Sequence, residues 1–219
     1  MQKVFAATTA VCLIASATQA QQKPDRIDFT LTANPAFLAC LSRDGVSEPK
    51  ARVDVRRGKL NDVLRIHVSG LKANLAFDLF TVQRSSLDAN GKPADGFPGT
   101  FGLAWYQTDL QADDDGEADA TIRTILLDQI FGFDGDKRPD GSTILPPTNT
   151  FHVGFWFNNP MDAAPCGFDV TKPTPFNGEH KAGPLAMISL PDATTGLGPL
   201  CTSPTGASPD DPTMLACNP

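Results

Sequence analysis

Apolar residues recur at every second position along most of this chain, and the 3.6-residue spacing of an amphipathic helix is nearly absent. Ala51 to Arg56 alternates cleanly. Val63 to Ser69 puts Leu64, Ile66 and Val68 on one face and Arg65, His67 and Ser69 on the other. Leu75 to Gln83 is apolar on much of both faces. Phe101 to Leu110, Asp119 to Leu127, Thr150 to Asn158 and Leu185 to Leu190 complete the run of strands. Near the start, Asp25 to Ser42 alternates through Ile27, Phe29 and Leu31 and then becomes continuously apolar from Ala36 to Leu41. It reads as one strand, or as two broken at Asn34-Pro35.

Turn chemistry separates these strands. Asp113-Asp114-Asp115-Gly116-Glu117 predicts a hairpin turn, because Asp-Gly supplies the positive φ such turns require. Two long loops, 85–100 and 134–149, are rich in Asp, Gly, Asn and Pro, and 128–133 reads as a short helical turn. The pattern predicts an all-β domain, an antiparallel β-sandwich of broadly immunoglobulin-like architecture, with a jelly roll or small β-barrel as the alternative. The Cys-Trp-Cys spacing of antibody domains is missing, so the likeness is one of architecture and implies no function. There is no internal repeat.

The densest aromatic stretch is Thr150 to Asn158. Alternation places Phe151, Val153, Phe155 and Phe157 toward a core and leaves His152, Gly154, Trp156 and Asn158 on the opposite face as candidate surface. On Phe101 to Leu110 it assigns Trp105, with Leu103, to the core and Tyr106 to the surface.

The ends differ in composition. Met1 to Ala20 has a short positive start, an apolar run and a small-x-small ending, which is a secretory signal peptide cleaved after Ala20. The run is too short to span a bilayer, and no other stretch approaches that length. Cys12 lies inside the signal behind Val11, where a lipoprotein would carry a small residue. Residues 21–190 are expected to form a single domain, and 191–219 an irregular Pro/Ser/Thr/Asp-rich tail. The protein is therefore expected to be secreted or periplasmic.

Four cysteines remain after cleavage, which in an exported chain implies two disulfides and leaves three connectivities. The expected pairing is Cys40–Cys166 and Cys201–Cys217, since the second closes a short loop within the tail and the first ties the start of the domain to the loop after the aromatic strand. No C-x-x-C occurs, which argues against a thioredoxin-like motif and a cysteine zinc site. Without Lys3 the chain carries 17 basic and 25 acidic residues, a net charge near −8. That balance disfavours nucleic acid, and the chain lacks the basic amphipathic stretch of an anionic-membrane binder.

The candidate chemistry is sparse. His67, His152 and His180 are the whole imidazole supply, and three imidazoles around one open position would make a site for a transition metal. Read singly, each is an ordinary hydrogen-bonding residue. Asp113, Asp115, Glu117 and Asp119 line the hairpin turn and Asp134 and Asp136 a long loop. Such alternating oxygen ligands suit Ca2+, although solvated turns use the same residues. Asp78, between Phe77 and Leu79, is a candidate buried carboxylate, and Glu179-His180 is the best acid–imidazole pair. Tyr106, Trp156, Asn158 and Glu179 are candidate ligand contacts, the rings as a sugar-stacking platform. No nucleophile elbow, phosphate loop or dinucleotide fingerprint is present. The sequence therefore predicts a disulfide-stabilised binding or cell-surface interaction module more readily than an enzyme, with a protein or glycan partner. A His-cluster metalloprotein and a carbohydrate-binding domain are the alternatives.

Overall fold

A computed structural model describes residues 25–201 apart from 59, 125–132, 137, 143, 145–149, 173, 175 and 179, with backbone alone for Phe133, Asp134 and Cys201. The expected signal peptide, Cys217 and Glu179 lie outside the described residues, as does most of the expected helical turn at 128–133.

Ten strands are described: β1 (Arg26–Ala33), β2 (Lys50–Arg56), β3 (Asp62–Ser69), β4 (Ala76–Val82), β5 (Leu103–Gln111), β6 (Ala118–Thr124), β7 (Phe133–Asp134), β8 (Thr150–Phe157), β9 (Leu185–Ile188) and β10 (Leu200–Cys201). They form one antiparallel sheet in the order β6-β3-β2-β1-β9-β8-β4-β5-β7, with β10 beside the start of β8. The sheet bends until it is nearly closed, so the expected sandwich is realised as a flattened barrel. β1 makes one corner: Arg26 to Leu31 pair with β2, while Thr32 and Ala33 pair with β9. The turn after β5 makes the other. Asp113 Oδ1 accepts the amides of Asp115 and Glu117, both at 2.9 Å, and Gly116 sits at φ +70°. A Cβ on Gly116 would stand 2.0 Å from the Leu71 carbonyl oxygen, so only glycine fits. The turn forms as expected, but the hairpin does not: β6 takes β3 as its hydrogen-bonded neighbour and so carries the chain to the other half of the barrel.

The apolar run 36–41 is not a strand. Asn34 accepts the Ala36 amide through its side chain, Pro35 follows, and Pro35–Phe37 and Leu38–Leu41 form two short helical turns. These residues tolerate helix as well as strand, and a capping Asn followed by Pro at the first position decides for helix. The turn delivers Cys40 to Cys166, and the expected Cys40–Cys166 disulfide forms with a Cα–Cα distance of 6.0 Å. It clamps the corner after β1 to the loop after β8, where Phe37 meets Phe157 and Phe168 edge to face. From Pro191 to Pro199 the chain is irregular, but Leu197 is buried, and Leu200, also buried, pairs with Phe151; the rest of the expected tail, 202–219, lies outside the described residues.

The barrel interior holds the main core. It contains Val53, Val55, Leu64, Ile66 and Val68 from one half, and Phe77, Leu79, Phe151, Val153, Phe155 and Phe157 from the other. A second apolar cluster lies outside the barrel. Val82, Phe101, Trp156, Phe176, Leu185 and Ile188 pack there under the loops 83–102 and 174–184. β8 is consequently buried on both faces along its whole length.

Candidate functional site

The outer cluster overturns the expectation that the second face of β8 is surface. His152 is 2% exposed and Trp156 1%. The His152 ring places Nδ1 2.8 Å from the Ser189 carbonyl oxygen, which requires Nδ1 to carry the proton and donate. Burial pushes its pKa down to about 4, so the ring is neutral. Trp156 meets Phe80, Phe101 and Phe176 edge to face, with centroids 4.7 to 5.4 Å away. It is a core side chain and no sugar platform.

The rim of this cluster is polar. Asp78 projects from the same face of β4 as Phe80 and is 5% exposed. The Asn158 amide nitrogen, just past β8, donates to Asp78 Oδ1 at 2.8 Å and lies 3.0 Å from His180 Nε2. The second amide proton reaches His180 when Nε2 is the ring nitrogen that accepts. The same Nε2 stands 3.6 Å from Asp78 Oδ2, so a protonated His180 would find its counter-ion beside it.

On β5, Tyr106 donates its hydroxyl to Asp109 Oδ1 at 2.7 Å. A regular strand sends residues three apart to opposite faces. Here Leu79 pairs with Thr108 while Phe80 pairs with Tyr106, so Gln107 is an extra residue, a β-bulge. The bulge turns Asp109 outward beside Tyr106 and sets it across from Asp78. Trp105, opposite Thr81, is half-buried rather than in the deep core to which alternation assigned it. The phenol pKa of Tyr106 is raised by desolvation first, then by its bond to Asp109 and by the charges of Asp109 and Asp78. Its ring is 46% exposed and rests edge-on against Phe80 at 5.6 Å. The result is a rim of two carboxylates, an imidazole, a carboxamide and an exposed aromatic ring.

The other candidate residues scatter. His67, exposed on β3, pairs with Asp119 of β6 at 2.9 Å; His152 is sealed against Ser189; His180 lies at the rim. Each of the three has its own partner. Asp113 spends its carboxylate on the amides of its own turn. Asp136 is buried against Arg84 and Thr100 as a structural ion pair. Asp134 is placed by backbone only, in β7. Among the described residues no group of three or more His, Cys, Asp or Glu side chains is placed to hold a metal ion. Sequence reasoning singled out Tyr106, Asn158 and His180 and noted Asp78. Asp109 joins them only through the bulge, which leaves no mark in the residue types.

Among the described residues no helix is long and apolar enough to cross a membrane. The chain matches no family model, no curated protein and no solved structure. Fold and site together define a class: a nearly closed antiparallel β domain, clamped at one corner by a disulfide, with a polar rim around a loop-covered aromatic patch.

Proposed function

We propose that this protein is an exported, non-enzymatic binding module and that its rim site recognises a glycan. The signal-like Met1 to Ala20 segment and the Cys40–Cys166 disulfide support export, since such bonds persist in oxidising compartments. The observation that carries the binding reading is the bulge, which aims Tyr106 and Asp109 outward together next to Asp78, Asn158 and His180. Sugar hydroxyls donate to carboxylates, while their C–H faces lie on an exposed ring. Holding the ring by its own hydroxyl and by Phe80 lowers the ordering cost of binding.

Titration of the purified protein against neutral oligosaccharides tests this reading. Tyr106→Ala and Asp109→Asn are expected to weaken binding at least tenfold with the fold unchanged by circular dichroism. Absence of binding to any neutral glycan, or binding untouched by both substitutions, overturns it.

A further inference from the structure

We infer that the outward face of β1, β2, β3 and β6 is a docking surface for a linear anionic polysaccharide, distinct from the rim site and independent of it. The register of the four strands brings Arg26, Lys50, Arg52, Arg56, Arg65 and Arg123 onto one side of the sheet, among Asp28, Asp54 and Asp119. Six cations against three carboxylates make this face +3 in a chain whose net charge is −7. The imbalance is invisible in sequence, because the cations come from four separate segments and alternate with core residues.

The face is organised rather than merely basic. Asp54, with a side chain 19% exposed, gathers three guanidinium groups: Arg26 at 2.5 Å, Arg56 at 3.5 Å and Arg65 at 3.7 Å. Its Oδ2 is buried and meets Arg26 as a charge contact without a well-directed hydrogen bond. Asp28 also takes the Arg26 guanidinium, at 2.9 Å, but two carboxylates cannot use the donors of three guanidiniums, each of which has five N–H groups in a fixed fork. The remainder face solvent, the three side chains being 52% to 58% exposed. Arg52 and Arg123 are exposed and make no ion pair among the described residues, and they flank this cluster along and across the strands.

The geometry favours a narrow, repeating anion. Neighbouring strands lie about 4.8 Å apart and same-face residues of one strand about 6.7 Å apart, so the guanidiniums form a flat grid that can engage successive carboxylates or sulfates of one chain. The face carries no Phe, Tyr or Trp on which a nucleic-acid base could stack, and its one aromatic ring, the His67 imidazole, is held by Asp119 at 2.9 Å; its only outward aliphatic residue, Val63, is half-buried, so it has no side chain to insert into a bilayer.

The test is binding of the full chain to polygalacturonate and dextran sulfate at 50 and 200 mM NaCl, beside neutral dextran, duplex DNA and phosphatidylserine vesicles. Binding to both polyanionic glycans that weakens at least tenfold between the two salt concentrations is expected, with none to neutral dextran. Combined Arg52→Gln, Arg65→Gln and Arg123→Gln is expected to reduce affinity at least tenfold. The charge-matched control Lys72→Gln, Lys92→Gln and Arg138→Gln, at exposed positions off this face, should reduce it less than threefold. Arg52→Gln alone, which breaks no ion pair, should cost about threefold and covers the case in which the triple variant does not fold. Equal losses in the two triple variants, no retention by either polyanion, or tighter binding to DNA or vesicles overturns the inference. Tyr106→Ala should leave this binding unchanged, which separates its failure from that of the rim site.

Discussion

The two faces of β8 are equally buried and are buried by different means. Phe151, Val153, Phe155 and Phe157 face the barrel interior, where strands of both halves converge on them. His152 and Trp156 face outward and are covered by loops that return over the sheet. Strand–strand packing is secured by ladders on either side. Loop packing rests on a few side chains such as Phe176 and on single hydrogen bonds to Ser189. Burial of equal depth is therefore expected to differ in strength and in response to its surroundings, and local opening should begin on the outer side.

The sharpest way to break the comparison is truncation on the inner face. Phe155→Ala leaves a hole among Phe77, Val153 and Met187 and should cost about 3–5 kcal/mol in urea unfolding, with the transition still cooperative. The next effect is acid lability of the outer face. His152 has a folded pKa of about 4 against about 6.5 unfolded, so the unfolded chain binds the proton first. Stability is full above pH 6.5 and falls as pH drops through 6.5 toward 4, by about 3 kcal/mol in total. His152→Gln should flatten that slope while leaving the carboxylate-driven loss below pH 4. An unchanged slope would place the acid lability elsewhere.

A smaller effect is expected from Phe176→Ala, which removes the ring stacked on Phe80 at 4.1 Å and packed on Trp156. The loop that carries it can reclose over the gap, so the loss should stay below about 3 kcal/mol. It should be accompanied by a red shift of Trp156 emission and faster amide exchange in 176–184. A loss as large as that of Phe155→Ala would make the outer cluster a full part of the core. The smallest effect belongs to the rim: Tyr106→Phe, which deletes only the bond to Asp109, should change stability by less than about 0.5 kcal/mol. Its consequence should be in binding, where the freed ring is less well held.

The inner face was legible from sequence because alternation of period two reflects one side of a strand meeting a core. Most of the strands, the side of β8 on which Phe155 lies and the tight turn at Gly116 follow from residue types and spacing; the cysteine count implied disulfides, and the fold selected Cys40–Cys166 from the open connectivities. The outer face was not legible. Whether Trp156 sees water depends on where Phe101 and Phe176 come to rest, and whether His152 does depends on Ser189 and Gly198, and no local pattern encodes either. The bulge at Gln107 is silent for the same reason: it is a mismatch between β4 and β5, a property of the pair. It brings Asp109 to Tyr106.

The sequence by itself determined an all-β chain of short strands, its turn residues and its acidic balance, because each of these is set by neighbours in the chain or by simple counting. Tertiary structure decided which strands pair, that the sheet nearly closes into a barrel, and that Asp78, Asp109, Tyr106, Asn158 and His180 share a rim. It alone gathered arginines from separate strands onto one face. Those outcomes rest on contacts between residues far apart in sequence, and only the folded register brings them together.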